Sequence, residues 1–81
     1  MRVLVLRADE RLAADGLERA GADGDVIVVD PSSAQLESLE RSLPDSRVWY
    51  QIGDATVVPL PDDFVDAALG GGGGDVQRVL R

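Results

Sequence analysis

The sequence contains no cysteine, no histidine and no lysine among its 81 residues. Without cysteine the chain cannot form a disulfide bond or a thiolate metal site, and without histidine it lacks the commonest general base and metal ligand. Nucleophile pairs of the Ser–His or Cys–His kind are excluded for the same reason. The sequence therefore indicates no catalytic residue and no metal site.

Positive charge and long hydrophobic runs are also scarce. Eight arginines stand against 15 acidic residues, which gives a formal net charge of −7. So acidic a chain offers no attractive surface to nucleic acid or to anionic lipid. The apolar run at residues 3–6 is far too short for a signal peptide or a membrane-spanning helix. We expect a cytoplasmic protein that binds neither nucleic acid nor membrane.

Two short apolar runs organise the chain. Residues 3–6 and 26–29 consist only of valine, leucine and isoleucine, without the polar alternation of a half-exposed strand. Both runs are therefore predicted to be strands of a parallel sheet, buried on both faces. The second run ends at Asp30, which is followed at once by a helix start at Ser32. A buried strand that ends in an acid and turns into a helix is typical of nucleotide-binding α/β sheets.

The segments that follow these two runs are predicted to be helices. Asp9 is a candidate N-cap of the first helix, Gly21 marks its C-terminal end, and Gly16 is expected to let it pack closely on the sheet. The second helix starts at a capping box, Ser32 with Gln35. The predicted apolar faces are Leu12, Ala13, Gly16, Leu17 and Ala20 in the first helix, and Leu36, Leu39 and Leu43, before Pro44, in the second.

The rest of the chain is predicted to form two more strands and a short helix. Residues 47–52 alternate between two faces, and Trp49 falls on the exposed one, which suits an edge strand. The face toward the core is formed by Val48, Tyr50 and Ile52. A proline-containing loop, a fourth strand, a glycine run and a helix capped by Asp75 follow, at residues 56–63, 64–69, 70–74 and 76–81.

The order of these features resembles the N-terminal half of a class I S-adenosylmethionine-dependent methyltransferase domain. The residues that carry the resemblance are the two buried runs, Asp30-Pro31-Ser32, Gly53-Asp54-Ala55 and the segments 59–63 and 65–67. The resemblance implies that Asp30 holds the ribose hydroxyls of the cofactor and that Asp54, with the adjacent Ala55, contacts the adenine. On the residues alone, Asp30 could equally support the helix start at Ser32, and Asp54 could simply turn the chain.

The resemblance also implies the fold. We expect a single truncated α/β domain over residues 1–81, with three layers of Rossmann-like type and a short, mainly parallel sheet in the order 3-2-1-4. With only four strands, this sheet has a free edge at the fourth strand. We predict that the chain forms a dimer or larger homo-oligomer, or docks a partner protein, through the apolar residues of that edge: Phe64, Leu69, Val76, Val79 and Leu80.

The chain departs from the family in the loop after the first strand. Residues 7–11 read Arg-Ala-Asp-Glu-Arg, whereas the family has a glycine-rich turn that lets the backbone approach the cofactor. Asp9 and Glu10 would face the methionine carboxylate of the cofactor with like charge. The five glycines at 70–74 follow the fourth strand and are interpreted as a spacer.

These observations favour a degenerate methyltransferase-like domain that is non-catalytic by itself, is expected to bind no cofactor and acts as an interaction module. The alternative is a genuine S-adenosylmethionine-binding methyltransferase fragment, completed by a partner chain or by a missing C-terminal segment. A third interpretation is an unrelated nucleotide-binding module, and it lacks an identifiable phosphate-binding loop. The residues alone leave open whether the chain is an enzyme.

Overall fold

A computed structural model describes residues 1–53 and 64–70 of the chain. This part forms a four-stranded, all-parallel sheet in the order β3-β2-β1-β4 with two helices. The elements are β1 Arg2–Val5, α1 Glu10–Ala20, β2 Asp25–Asp30, α2 Ser33–Ser42, β3 Val48–Ile52 and β4 Ala67–Leu69. The predicted α/β class, parallel sheet and strand order are confirmed. The expected loop at 56–63, most of the glycine run and the helix at 76–81 lie outside the described residues.

Both helices pack on one face of the sheet. The two central strands are buried on both faces, as predicted: Val3, Leu4 and Val5 are 0% exposed, and residues 26–29 are at most 7% exposed. The valines of these strands that face the helices form one core cluster with the buried helix residues Ala13, Leu17, Ala20, Leu36 and Leu39. Neither described helix has the length and apolarity needed to cross a bilayer.

A smaller apolar cluster lies on the opposite face of the sheet. It consists of Leu4, Ile27 and Val29, with Leu6, Val65 and Ala68 packed against it. No described helix contacts this face, so the described elements make up two of the three predicted layers. Because strands buried on both faces are a property of parallel sheets, the position of these side chains agrees with the fold class.

The ends of α1 are fixed as predicted. The Asp9 carboxylate accepts a hydrogen bond from the Leu12 amide at 3.0 Å, which satisfies one of the free N–H groups of the first turn. Gly21 ends the helix with a φ of 81°, and its amide donates to the Leu17 carbonyl. A Cβ atom at Gly16 would lie 3.2 Å from Val5 Cγ2, so a larger residue here would require Val5 to shift by a few tenths of an ångström.

The capping box at the start of α2 is only half formed. Ser32 Oγ accepts the Gln35 amide at 3.3 Å, as predicted. The reciprocal bond from the Gln35 side chain is replaced, because the Ser32 amide donates to Asp30 Oδ1 at 2.8 Å. An ionised carboxylate two residues earlier in the chain is a stronger acceptor than a side-chain amide. The helix ends where expected, with the half-buried Leu43 as its C-cap before Pro44.

Strand β3 occupies the predicted edge position. Val48 is 8% exposed and Trp49 is 62% exposed, in agreement with the predicted faces. The prediction that Ile52 faces the core is wrong, since its side chain is 56% exposed. Ile52 pairs with Asp30 at the very end of the ladder, where its neighbour is a carboxylate and the cluster beneath the helices no longer reaches.

Strand β4 is shorter than predicted and begins at Ala67. The Asp66 carboxylate accepts the Arg2 amide at 2.8 Å, and the Asp66 amide donates to the Arg2 carbonyl. The Arg2 amide donates to the Asp66 side chain and therefore not to a backbone carbonyl of β4. Regular pairing between β1 and β4 starts one residue later, where Val3 pairs with Ala67. The predicted strand residues Phe64 and Val65 therefore precede β4.

Arg47 fixes the start of β3 against the end of α1. Its guanidinium donates to both carboxylate oxygens of Asp45 at 3.0 and 2.8 Å, and its Nη1 donates to the Gly21 carbonyl at 2.9 Å. The two side chains are 33% and 26% exposed, so the pair is less accessible to water than an ordinary surface pair. The Arg47 side chain, and after it the Arg47 backbone amide, lowers the pKa of Asp45 to about 2.

This ion pair predicts a specific loss of stability in acid. Because the pKa of Asp45 is lower in the folded state than in the unfolded state, its contribution is complete above about pH 5 and disappears as the pH falls from about 4 to about 2. The urea midpoint of the wild-type chain should therefore approach that of Asp45→Asn over this range. The difference between the two midpoints isolates Asp45, because every other carboxylate is present in both proteins. A midpoint difference that stays constant down to pH 2 would contradict the prediction.

Gly24 predicts a second stability effect. A Cβ atom at this position would overlap the backbone carbonyl oxygens of Met1 and Ala20, and neither oxygen can move without displacing β1 or α1. We expect Gly24→Ala to lower the free energy of unfolding by about 1–3 kcal/mol in urea denaturation. The neighbouring exposed Asp23→Ala should change it by less than about 0.5 kcal/mol. Equal stability of the two variants would show that the backbone relaxes freely here.

Candidate functional site at the carboxyl edge of the sheet

Asp30 lies at the centre of the carboxyl edge of the sheet. It is the last residue of β2, which runs between β1 and β3. Its backbone carbonyl accepts the Gly53 amide at 3.1 Å, so the end of β3 is held directly beside it. The carboxyl ends of parallel strands are where ligands bind in open α/β sheets. The structure therefore places the predicted ribose-binding acid at the edge where such a ligand would sit.

The Asp30 carboxylate connects two loops. Its Oδ2 accepts the Ala8 amide at 2.9 Å, and its Oδ1 accepts the Ser32 amide at 2.8 Å. The second bond confirms that Asp30 supports the start of α2. The first bond was not foreseen from the sequence, because a backbone amide leaves no residue-type signal. The only indication of it is the pairing of two neighbouring buried strands, whose following loops must then lie side by side.

The Asp30 carboxylate keeps capacity for a ligand. An ionised carboxylate offers about four acceptor positions, and the two backbone amides use two of them. Asp30 is half-buried rather than enclosed. A pair of vicinal hydroxyls could therefore donate to the remaining positions without breaking either bond. In this respect Asp30 fits the nucleoside half of S-adenosylmethionine.

The loop after β1 does not fit the amino-acid half of that cofactor. Asp9 occupies the N-terminal end of α1, where the helix dipole would otherwise attract an anion. The Leu12 amide, and beyond it the Arg11 amide and the Arg7 charge, holds the pKa of Asp9 below its usual range. Arg7 is already engaged, with Nη2 3.6 Å from Asp9 Oδ2. A ligand carboxylate placed here would meet a permanent negative charge.

The described groove lies elsewhere on the molecule. It encloses about 300 Å³ and is lined by Arg2, Asp25, Ile27, Trp49, Tyr50, Gln51 and Phe64. Arg2 and Asp25 are the first residues of β1 and β2, so the groove starts at the amino ends of the strands and does not include Asp30. The Arg2 guanidinium bonds Asp25 at 3.0 Å and lies 4.3 Å from the centre of the Phe64 ring. This groove is therefore separate from the predicted cofactor edge.

The other two predicted cofactor-binding residues, Asp54 and Ala55, lie outside the described residues. Gly53, which precedes them, is the last described residue after β3. Of the predicted cofactor site, the structure therefore shows the positions of Asp30 and of the loop after β1.

Asp30 stabilises the fold through the two hydrogen bonds of its carboxylate, independently of any ligand. In Asp30→Ala the amides of Ala8 and Ser32 lose their acceptor, so we expect the free energy of unfolding to fall by about 1–3 kcal/mol. Asp30→Asn keeps one acceptor oxygen and should lose less. Hydrogen exchange of the Ala8 amide should accelerate in Asp30→Ala and stay unchanged in the exposed control Glu37→Ala. Unchanged exchange at Ala8 in both variants would show that the bond contributes nothing.

A comparison with protein families identifies a match. The family model described as a methyltransferase domain matches residues 10–73, which is well over half of the chain. No curated protein matches the chain. The family match starts at the first residue of α1 and therefore leaves out β1 and the loop that follows it. Together with the all-parallel sheet in the order β3-β2-β1-β4, the match shows that the chain belongs to the class I S-adenosylmethionine-dependent methyltransferase domains.

Proposed function

We propose that this chain is a degenerate methyltransferase domain that neither binds S-adenosylmethionine nor transfers a methyl group by itself, and that it acts as an interaction module. One observation carries the proposal. The Asp9 carboxylate is fixed at the N-terminal end of α1, in a loop that contains no glycine. The carboxylate of a bound methionine moiety would have to approach this charge in place of the open backbone that a glycine-rich turn provides.

The position of the loop supports the same conclusion. Because the Ala8 amide donates to Asp30, the backbone of this loop is held close to the acid that would bind ribose. The family match also begins only after the loop, so its resemblance to the family lies in the segments that follow. The chain keeps the architecture of the family while its cofactor loop departs from it.

The interaction role rests on the open edge of the sheet. Strand β4 pairs with β1 on one side, and no described strand pairs with its other side. Phe64 is 38% exposed just before this strand, and Leu69 is half-buried within it. The remaining members of the predicted interface, Val76, Val79 and Leu80, lie outside the described residues. A second copy or a partner protein along this edge, in the cytoplasm, is part of the proposal.

A second candidate function is genuine cofactor binding in a domain that a partner chain or a further segment completes. The observation that favours it is the remaining acceptor capacity of Asp30 at the carboxyl edge. In this case Asp30 would hold the ribose, and Asp54 and Ala55 would contact the adenine, as the family resemblance implies. S-adenosylmethionine would then be the cofactor of the assembled protein.

Calorimetric titration with S-adenosylmethionine and S-adenosylhomocysteine tests both candidates. Because Asp9 repels the ligand carboxylate, we expect no binding heat at ligand concentrations of about 1 mM, which corresponds to less than about 4 kcal/mol of binding free energy. Amide shifts of Ala8 and Gly53 in nuclear magnetic resonance spectra provide a second readout. They should not move when either ligand is added.

Micromolar binding would overturn the leading proposal, provided that it is lost in Asp30→Asn and kept in the exposed control Asp23→Asn. A further variant separates charge from backbone shape. Asp9→Ser retains a good N-cap residue and removes the negative charge. If Asp9→Ser binds the cofactor and the wild-type chain does not, repulsion by Asp9 is the obstacle. If neither protein binds, the loop without glycine prevents binding even after the charge is removed.

A further inference from the structure

The outer edge of β3 carries backbone groups that are available for pairing. The Arg47 carbonyl accepts the Val26 amide and the Gly53 amide donates to the Asp30 carbonyl, at the two ends of the ladder between β2 and β3. Since alternate residues of a strand direct their backbone groups to the same side, the odd-numbered residues of β3 face β2. The N–H and C=O groups of Tyr50 and Ile52 therefore point away from the sheet, and no described strand pairs with them.

The side chains of β3 do nothing to protect this edge. The strand reads Val-Trp-Tyr-Gln-Ile and contains no charge and no proline. Trp49 is 62% exposed and Ile52 is 56% exposed. Natural sheets protect exposed edges with charged residues, proline, bulges or very short strands, and an unprotected apolar edge of this length is a template for pairing.

We propose that β3 is a self-association edge, along which two copies of the chain pair antiparallel about a two-fold axis at Tyr50. The outward groups that remain free match this register, since the Ile52 carbonyl already accepts the Gln51 side-chain amide at 3.2 Å. Tyr50 exchanges both hydrogen bonds with Tyr50 of the second copy, and the Ile52 amide meets the Val48 carbonyl across the axis. The Val48 amide is already used within the chain, because it donates to the Asp45 carbonyl at 3.0 Å. The paired segment therefore ends there.

The self-complementary register and the absence of charge on β3 point to a second copy as the occupant of this edge. The chain has a formal net charge of −7, so most of its surface repels another copy of itself. The five residues of β3 carry no charge, and in the proposed register each of them opposes another uncharged residue. Trp49 lies opposite Gln51 of the second copy, on the sheet face that no described helix covers. The interface is isologous, so it closes as a dimer.

Engineered cysteines test the register directly, because the natural chain contains no cysteine. In the proposed pair the two Tyr50 Cα atoms are about 5.5 Å apart, within the range that a disulfide spans. Tyr50→Cys should therefore form a covalent dimer under mild oxidation. Gln51→Cys is the matched control, because residue 51 opposes residue 49 and its own counterpart lies beyond about 7 Å. We expect at least about a tenfold difference in the rate of dimer formation, and equal rates would overturn the register.

Light scattering on the full chain tests the edge independently of any cysteine. We expect a dimer mass for the wild-type chain and a monomer mass for Ile52→Lys. Glu37→Gln changes the net charge by the same one unit on the exposed face of α2 and should remain a dimer. Phe64→Lys makes the same change beside β4. A wild-type monomer overturns the proposal, and so does a dimer that Phe64→Lys dissociates while Ile52→Lys leaves it intact. Titration with the cofactor reports on the proposed function separately.

Discussion

The hydrogen bonds of one residue determine how the carboxyl edge of this domain is arranged. Asp30 accepts the amides of Ala8 and Ser32, and its carbonyl accepts the amide of Gly53. Three segments that follow three different strands are thereby held around a single residue. This arrangement is available only because β2 lies between β1 and β3 and is buried on both faces, which leaves its end as the meeting point of the neighbouring loops.

In the proposed function, family membership and cofactor chemistry separate at the loop that precedes α1. The match to the methyltransferase domain family covers α1 and everything after it that the structure describes. The segment before the match is the loop in which Asp9 caps α1 with a negative charge. A helix N-terminus that is neutralised by its own carboxylate no longer favours a ligand carboxylate. A fold is maintained by its core, whereas a binding site depends on a few side chains that can be lost independently.

Much of the fold could be predicted from the sequence because its signals are local. Unbroken apolar runs define buried strands, and Asp9 and Gly21 mark the ends of a helix through the free backbone groups of its terminal turns. The predictions fail where a second hydrogen-bond partner competes with the predicted one, or where packing decides the outcome. The Ser32 amide bonds Asp30 instead of Gln35, and the Arg2 amide bonds the Asp66 side chain, which shortens β4. Ile52 is exposed because the alternation of a strand says nothing about where the covering helix stops. For the site, Asp30 was identifiable and its bond to Ala8 was not.

The two edges of the described sheet are the surfaces along which a further strand could pair. A chain of about 80 residues buries only about 60–65% of the surface that it exposes when unfolded, so pairing with another chain adds a large fraction of its stabilising contacts. Strand β4 is three residues long and is preceded by Asp66, whereas β3 has five uncharged residues with two large side chains exposed. Short strands and nearby charges are the features that discourage pairing, so β3 is the less protected of the two described edges.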